Sequence, residues 1–141
     1  MTTITPLYTA SVNAIGGRAG HIKSSDGTLD LPLSMPKGLG GPETPGTTNP
    51  EQLFAAGYAA CFGGAVGMVA RLQKITLGAH DITAKASIGK DDTGFGLAVE
   101  LIGNFPELPR EQAEAIMQAA HAACPYSKAT RGNIAVTVSV A

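Results

Sequence analysis

The sequence predicts an α/β (α+β) protein with the element order βββ-α-ββ-α-β. Three observations carry that reading. Short alternating runs separated by turn residues fill the chain before position 35 and recur after position 80. One long apolar stretch with helical spacing opens at Asn49-Pro50-Glu51. A second helical stretch begins near Pro109 and stops at Cys124-Pro125. At 141 residues the chain is expected to form a single domain over 1–141, with no room for a second.

Taking the elements in order, three strand-like runs at 7–14, 21–25 and 28–33 are separated by Gly16-Gly17 and by Asp26-Gly27. Asp-Gly between two such runs is a hairpin signal, because both residues tolerate the positive φ of a type I′ turn, so the second and third strands should be antiparallel neighbours. Residues 35–49 hold too many prolines and glycines for a helix or an inner strand and read as a long loop.

The central helix is well marked at its start: an amide at the cap, a proline where no backbone donor is missed, and an acid in the first turn. Phe54, Tyr58, Cys61, Ala65, Met68 and Leu72 follow at helical spacing, and apolar residues also occupy much of the other side, the pattern of a helix buried nearly all round. The small residues Ala55, Ala56, Gly57, Ala59, Ala60, Gly63 and Gly64 would let other backbones approach closely. Alternating runs at 81–90 and 95–104 flank Asp91-Asp92-Thr93-Gly94 and predict a second hairpin. The helix from Pro109 to Cys124 must break or kink at Pro125. The chain closes on a strand with Ile134, Val136, Val138 and Val140 on one face.

Composition narrows function. Hydrophobic residues make up 44% and charged residues 15%, and the net charge of -1 excludes both a disordered polyelectrolyte and a basic nucleic-acid binder. The N-terminal residues show no charged start followed by an apolar run, so no secretion signal and a cytoplasmic location are expected. The apolar stretch 53–70 is interrupted by four glycines and follows Glu51-Gln52, which favours a core helix over a membrane span. Three scattered histidines and two cysteines, without CxxC or HExxH, give no metal-ligand spacing, and no cofactor is expected.

The two thiols carry the remaining chemistry. In the reducing cytosol a lone pair of cysteines is more readily a redox device than a permanent staple, although either one could be a small core hydrophobe. Peroxide reduction through a disulfide needs one thiolate to attack the distal peroxide oxygen and a second thiol to condense with the resulting sulfenic acid. A free thiol is mostly protonated at neutral pH, so a cation should stand near the reactive sulfur. Arg18, in the glycine-rich turn Gly16-Gly17-Arg18-Ala19-Gly20, is a candidate, with an ordinary solvated arginine as the alternative. Glu51 reads either as a helix-start acid favoured by the dipole or as a bidentate carboxylate orienting Arg18. His21, His80 and His121 receive no role. Phe54, Tyr58 and Phe62 lie near Cys61 in the helix and suggest an apolar substrate.

The stretches Asn49-Pro50-Glu51-Gln52-Leu53-Phe54-Ala55-Ala56-Gly57-Tyr58-Ala59-Ala60-Cys61-Phe62 and Cys124-Pro125-Tyr126-Ser127-Lys128-Ala129-Thr130-Arg131-Gly132-Asn133 closely resemble the two signature stretches of the organic hydroperoxide resistance proteins, the Ohr subgroup of the OsmC/Ohr family. Gly16-Gly17-Arg18 and Ser24-Ser25-Asp26-Gly27 match as well. Ala19, where relatives often carry an acid, and one additional residue in Gly46-Thr47-Thr48-Asn49 are departures. The resemblance implies two chains intertwined as a homodimer, with antiparallel-rich sheets around long central helices. It implies that Cys61 is the peroxidatic cysteine, Cys124 the resolving one that closes an intrachain disulfide, Arg18 the thiolate-stabilising cation and Glu51 its carboxylate partner. It further implies alkyl and fatty-acid hydroperoxides as substrates and a lipoylated protein or dihydrolipoamide as reductant. The alternatives are the OsmC subgroup proper and a non-enzymatic redox sensor or apolar-ligand carrier.

Glu51 and Cys61 are ten residues apart on one predicted helix, or roughly 15 Å along its axis, which an Arg–carboxylate pair does not easily span. Each site is therefore expected to combine Arg18 and Glu51 of one chain with Cys61 of the other. The alternative is that Arg18 reaches Cys61 within its own chain.

Overall fold

The computed structural model describes all 141 residues. It is a mixed α and β structure with the strands β1 (Val12–Ile15), β2 (His21–Ser24) and β3 (Asp30–Pro32), the helix α1 (Pro50–Leu72), the strands β4 (Asp81–Asp91) and β5 (Gly94–Asn104), the helices α2 (Arg110–Ala123) and α3 (Pro125–Thr130), and the strand β6 (Ala135–Val140). The expected order holds, with α3 as an additional element. The residues group into two compact units, Met1–Pro50 and Glu51–Ala141.

The first unit is an antiparallel sheet in the order β1-β2-β3. Its first strand is shorter than the predicted 7–14. β2 leads into its hairpin after Ser24, so pairing ends with the Ser25 N–H donating to the Ser11 carbonyl at 2.9 Å, and Leu7 and Tyr8 are exposed. The hairpin after β2 forms as expected but not with a type I′ turn. Asp26 keeps negative φ and only Gly27 is left-handed, while the Asp26 carboxylate accepts hydrogen bonds from Ser24 Oγ at 2.6 Å and from Thr28 N–H at 3.0 Å. An Asx-type turn thus absorbs Thr28 and Leu29, which had been expected in the strand. Between β1 and β2 the turn Gly17–Ala19 is a short 3₁₀ helix, and Gly20 closes it so tightly that a Cβ there would stand 1.6 Å from the Ile15 carbonyl oxygen. The loop at 35–49 is irregular apart from a 3₁₀ turn at Lys37–Leu39 and a single parallel bridge from Thr48 to Leu33.

In the second unit, β4 and β5 form the long predicted hairpin, closed by Asp92-Thr93, with the Asp91 carboxylate accepting the Thr93 N–H at 2.7 Å. The final strand β6 pairs parallel to β5, giving the order β4-β5-β6. Parallel pairing requires a crossover, and α2 with α3 supplies it. The core packs Tyr58, Phe62, Ala65 and Val66 of α1, Val99 and Leu101 of β5, and Ala113, Ile116, Met117 and Ala120 of α2 into one cluster. Alternation on β4 and β6 puts Ile82, Ala84, Val136, Val138 and Val140 against it. Gly103 allows the close approach of α2: a Cβ there would lie 2.5 Å from both Met117 Sδ and Phe105 Cε2.

The helix α1 is not buried all round within the chain: Tyr58, Phe62, Ala65, Val66, Val69 and Ala70 are buried, whereas Ala56, Ala60, Gly64 and Met68, spaced by four, form an exposed stripe. Three helix positions in four residues cannot all face one sheet, so the apolar residues beyond the core stripe stay open. By length and composition α1 could cross a membrane, with a mean hydropathy of 1.7, but its buried face is committed to the protein core.

Candidate active site

Cys61 lies mid-way along α1, half-buried, and Cys124 is fully buried at the junction of α2 and α3. Both are free thiols, and their sulfurs are 3.7 Å apart. The junction is built by Pro125, which disfavours a helical conformation for the residue before it. Cys124 accordingly adopts φ −67°, ψ 126°, ending α2, and Pro125 begins α3 at a position that needs no backbone donor. Cys124 remains anchored on both sides: its N–H donates to Ala120 O at 2.8 Å, and its carbonyl accepts the Lys128 N–H at 3.0 Å.

The local electrostatics of Cys61 are mixed. Burial pushes its thiol above the ordinary value, the backbone N–H of Tyr126 pulls it back, and the neighbouring Cys124 thiol pushes it up again, with a net upward shift. A sulfur in that setting is a weak nucleophile unless a cation is brought to it.

A polar chain links the helices that carry the two sulfurs. Ser127 Oγ is 2.8 Å from Tyr58 OH and 2.7 Å from His121 Nδ1, and Tyr58 OH is 3.1 Å from Thr130 Oγ1. Tyr58 and Ser127 are entirely shielded from solvent. The carbonyl of His121 accepts a bond from Arg131 Nη2 at 2.7 Å. Burial, and secondarily the Arg131 charge, hold the His121 pKa below its ordinary value. The sequence reading gave Ser127, Thr130 and His121 no part, and no local pattern pairs them with Tyr58; only α3, which it did not anticipate, brings them together.

The aromatic surroundings also differ from expectation. Tyr58 and Phe62 are core residues, so they cannot line an approach to Cys61; Phe62 packs instead against the His121 ring at 6.5 Å. Phe54 sits edge-on to Tyr58 at 6.1 Å, and Tyr126, 41% exposed, lies 5.8 Å from the Tyr58 ring. Phe54 and Tyr126 are the aromatics available to a ligand near the thiols.

The other two predicted residues lie in the 3₁₀ turn between β1 and β2 and at the start of α1. Arg18 is half-buried in the 3₁₀ turn of the first unit, and Glu51 is half-buried in the first turn of α1. Both take part in interactions within the protein. As α1 is continuous from Pro50 to Leu72, Glu51 and Cys61 are separated by about 15 Å along its axis. The chain thus brings Cys61 and Cys124 together and leaves Glu51 at the far end of the same helix segment.

Comparison with known proteins is decisive for the family. Residues 41–139 match the family described as OsmC-like protein. The chain belongs to that family. Within it, the chain is 52% identical over 136 residues to the organic hydroperoxide resistance protein OhrB of Bacillus subtilis, covering 95% of this chain and 98% of the relative. It is 50% identical over 136 residues to an organic hydroperoxide resistance protein of Xanthomonas axonopodis, covering 96% and 95%. The solved structure of an organic hydroperoxide resistance protein OsmC from Legionella pneumophila superposes with a TM-score of 0.89 at 48% identity, covering 97% of this chain and 99% of that one. These relatives place the chain in the Ohr branch of the OsmC-like family, and its α+β architecture is that of the family's solved members.

Proposed function

We propose that this protein is a cysteine-based peroxidase that reduces alkyl and fatty-acid hydroperoxides to alcohols in defence against oxidative stress. The observation that carries the reading is the 3.7 Å separation of a half-buried Cys61 and a fully buried Cys124 in a member of the Ohr branch. The Cys61 thiolate attacks the distal oxygen of the hydroperoxide; the O–O bond breaks, and the leaving alkoxide takes a proton to become the alcohol. The Cys61 sulfenic acid then condenses with the Cys124 thiol, releasing water and closing an intrachain disulfide. A dithiol, either dihydrolipoamide or a lipoylated protein, reopens that disulfide and is itself oxidised.

Arg18 is assigned the thiolate-stabilising charge that the upward-shifted Cys61 needs, and Glu51 the carboxylate that orients it. The exposed stripe Ala56, Ala60, Gly64 and Met68 supports a homodimer in which α1 packs closely on a second copy. The separation of Glu51 from Cys61 along α1 favours a site shared between those copies. The whole of 1–141 is taken to act as one OsmC/Ohr-like domain in the cytoplasm, without a bound cofactor or metal.

Steady-state turnover of cumene hydroperoxide with dihydrolipoamide tests the reading. Sustained consumption that is abolished by Cys61→Ser is expected, because a serine hydroxyl is a far poorer nucleophile than a thiolate. Consumption of no more than one equivalent by the native protein, with this dithiol present, would reduce it to a redox sensor.

A further inference from the structure

Along the sequence, the members of the polar chain keep a regular spacing from the two cysteines. Tyr58 precedes Cys61 by three residues on α1; His121 precedes Cys124 by three on α2; Ser127 follows Cys124 by three on α3. Each of the three hydrogen-bonding side chains therefore sits about one helical turn from a sulfur-bearing residue. The His121–Ser127 bond of 2.7 Å spans the Pro125 break and ties the end of α2 to the start of α3. The Ser127–Tyr58 bond of 2.8 Å ties that junction to α1, across 69 residues of sequence. Thr130 completes the ring, meeting Tyr58 OH at 3.1 Å and donating to the Ser127 carbonyl at 3.2 Å. No buried side-chain polar atom is left without a partner. A fully satisfied, largely buried network of this kind fixes geometry, because its members are held by more than one partner and lose a bond made away from water if they move apart.

Pro125 makes such a device necessary. The break removes the continuous helical ladder that would otherwise set the direction of α3 relative to α2, and Cys124 sits at that hinge. We infer that Tyr58, Ser127 and His121 form a positioning clasp that holds the Cys124 sulfur against Cys61, so that the sulfenic acid is resolved to a disulfide before a second hydroperoxide can reach it. None of the three touches the reacting atoms; they act through the placement of Cys124. Closing the sulfurs from 3.7 Å to the roughly 2.0 Å of a disulfide is then a local adjustment within an intact clasp.

The inference rests on the peroxidase reading, and the test separates the two. His121→Leu and His121→Asn are near-isosteric, but only asparagine can place a polar atom close to where Nδ1 stands, as either donor or acceptor. With Ser127→Ala and Tyr58→Phe they form the set. Each reduced variant, its folding checked by circular dichroism, is mixed with one equivalent of cumene hydroperoxide in a stopped-flow instrument. Peroxide loss reports attack by Cys61, and loss of the second thiol reports disulfide closure. For Tyr58→Phe, Ser127→Ala and His121→Leu we expect attack within about twofold of the native rate and closure slowed tenfold or more. Sulfinic Cys61 should appear by mass at excess peroxide, and His121→Asn should restore closure to within about threefold of native. The clasp is overturned if closure is unchanged in the variants, if attack and closure fall by the same factor, or if the asparagine variant is as slow as the leucine variant. If Tyr58→Phe does not fold, the two His121 variants decide alone. Failure of the native protein to close a disulfide at all would instead remove the peroxidase reading beneath it.

Discussion

Oxidising the reduced protein with one equivalent of hydroperoxide should stabilise it, by an amount that follows from where the two thiols stand in the chain. The disulfide proposed here would link residues 63 apart in sequence. Cross-linking a loop of that length removes denatured-state entropy worth about 4 kcal/mol at 25 °C. From this must be taken the native-state cost of closing the sulfurs from 3.7 Å to bonding distance. That cost falls on side-chain torsions and on the Pro125 junction, since the helices already hold the pair face to face. A net gain of about 2–4 kcal/mol is expected, which for a chain of this size is a rise in melting temperature of roughly 10 °C. Calorimetry of the peroxide-treated and dithiol-reduced forms measures it, with Cys124→Ser as the control that should show no shift. An oxidised form that melts at or below the reduced one would refute the reasoning, because it would mean that the 3.7 Å arrangement is not poised for the bond.

Cys124→Ser should still consume about one equivalent of hydroperoxide but accumulate sulfinic or sulfonic Cys61, read by mass; an unmodified Cys61 at excess peroxide would remove the resolving role from Cys124. Burial holds the Cys61 pKa above its unfolded value, so the thiolate fraction and the rate of peroxide attack should climb with pH through the alkaline range, and Arg18→Ala should move the midpoint of that rise higher still. By the same linkage the stabilisation from a protonated Cys61 is complete below the unfolded thiol pKa and is lost as pH rises through the folded one, so Cys61→Ser should flatten an alkaline fall in the stability of the reduced protein. If the site is shared between two copies as proposed, mixing Cys61→Ser and Arg18→Ala chains, each of low activity at neutral pH, should regain activity, since one of the two sites in a mixed dimer combines both intact parts; mixed dimers confirmed by mass with no gain in activity would show that Arg18 serves its own chain. Gly103→Ala should cost about 1–3 kcal/mol of stability by urea titration, because its methyl would press on Met117 and Phe105 at 2.5 Å.

The sequence was most legible where a local rule acts alone. Asn49-Pro50-Glu51 marked the start of α1 and Pro125 the end of α2, because capping and proline geometry depend on a few adjacent residues. The alternation on β4 and β6 survives as alternating burial. It was less legible where a partner decides. Residues 7–10 have strand-like composition, but β2 turns into its hairpin before it can pair with them. The apolar side of α1 that bears Ala56, Ala60 and Met68 looked like core, yet one sheet covers only one side of a helix. At the site, Cys61 and Cys124 stood out by residue type and by family resemblance, whereas Ser127 and His121 did not. A serine near a helix start and a histidine near a helix end have ordinary local explanations, and only the turn of the chain at Cys124 makes them neighbours.

That turn also bears on the order of events. Cys124 is entirely shielded and Cys61 is half-buried, so an external oxidant meets Cys61 first and reaches Cys124 only through it. The same shielding keeps a dissolved peroxide from its sulfur, which leaves Cys124 a poor target for direct oxidation while it waits. A resolving thiol does not need intrinsic reactivity toward peroxide; it needs to be close when the sulfenic acid forms, because an intramolecular partner held in place outcompetes a second peroxide in solution. The arrangement therefore divides the work by position: limited exposure for the sulfur proposed to take the oxygen, and burial with a rigid polar anchor for the one proposed to release it as water.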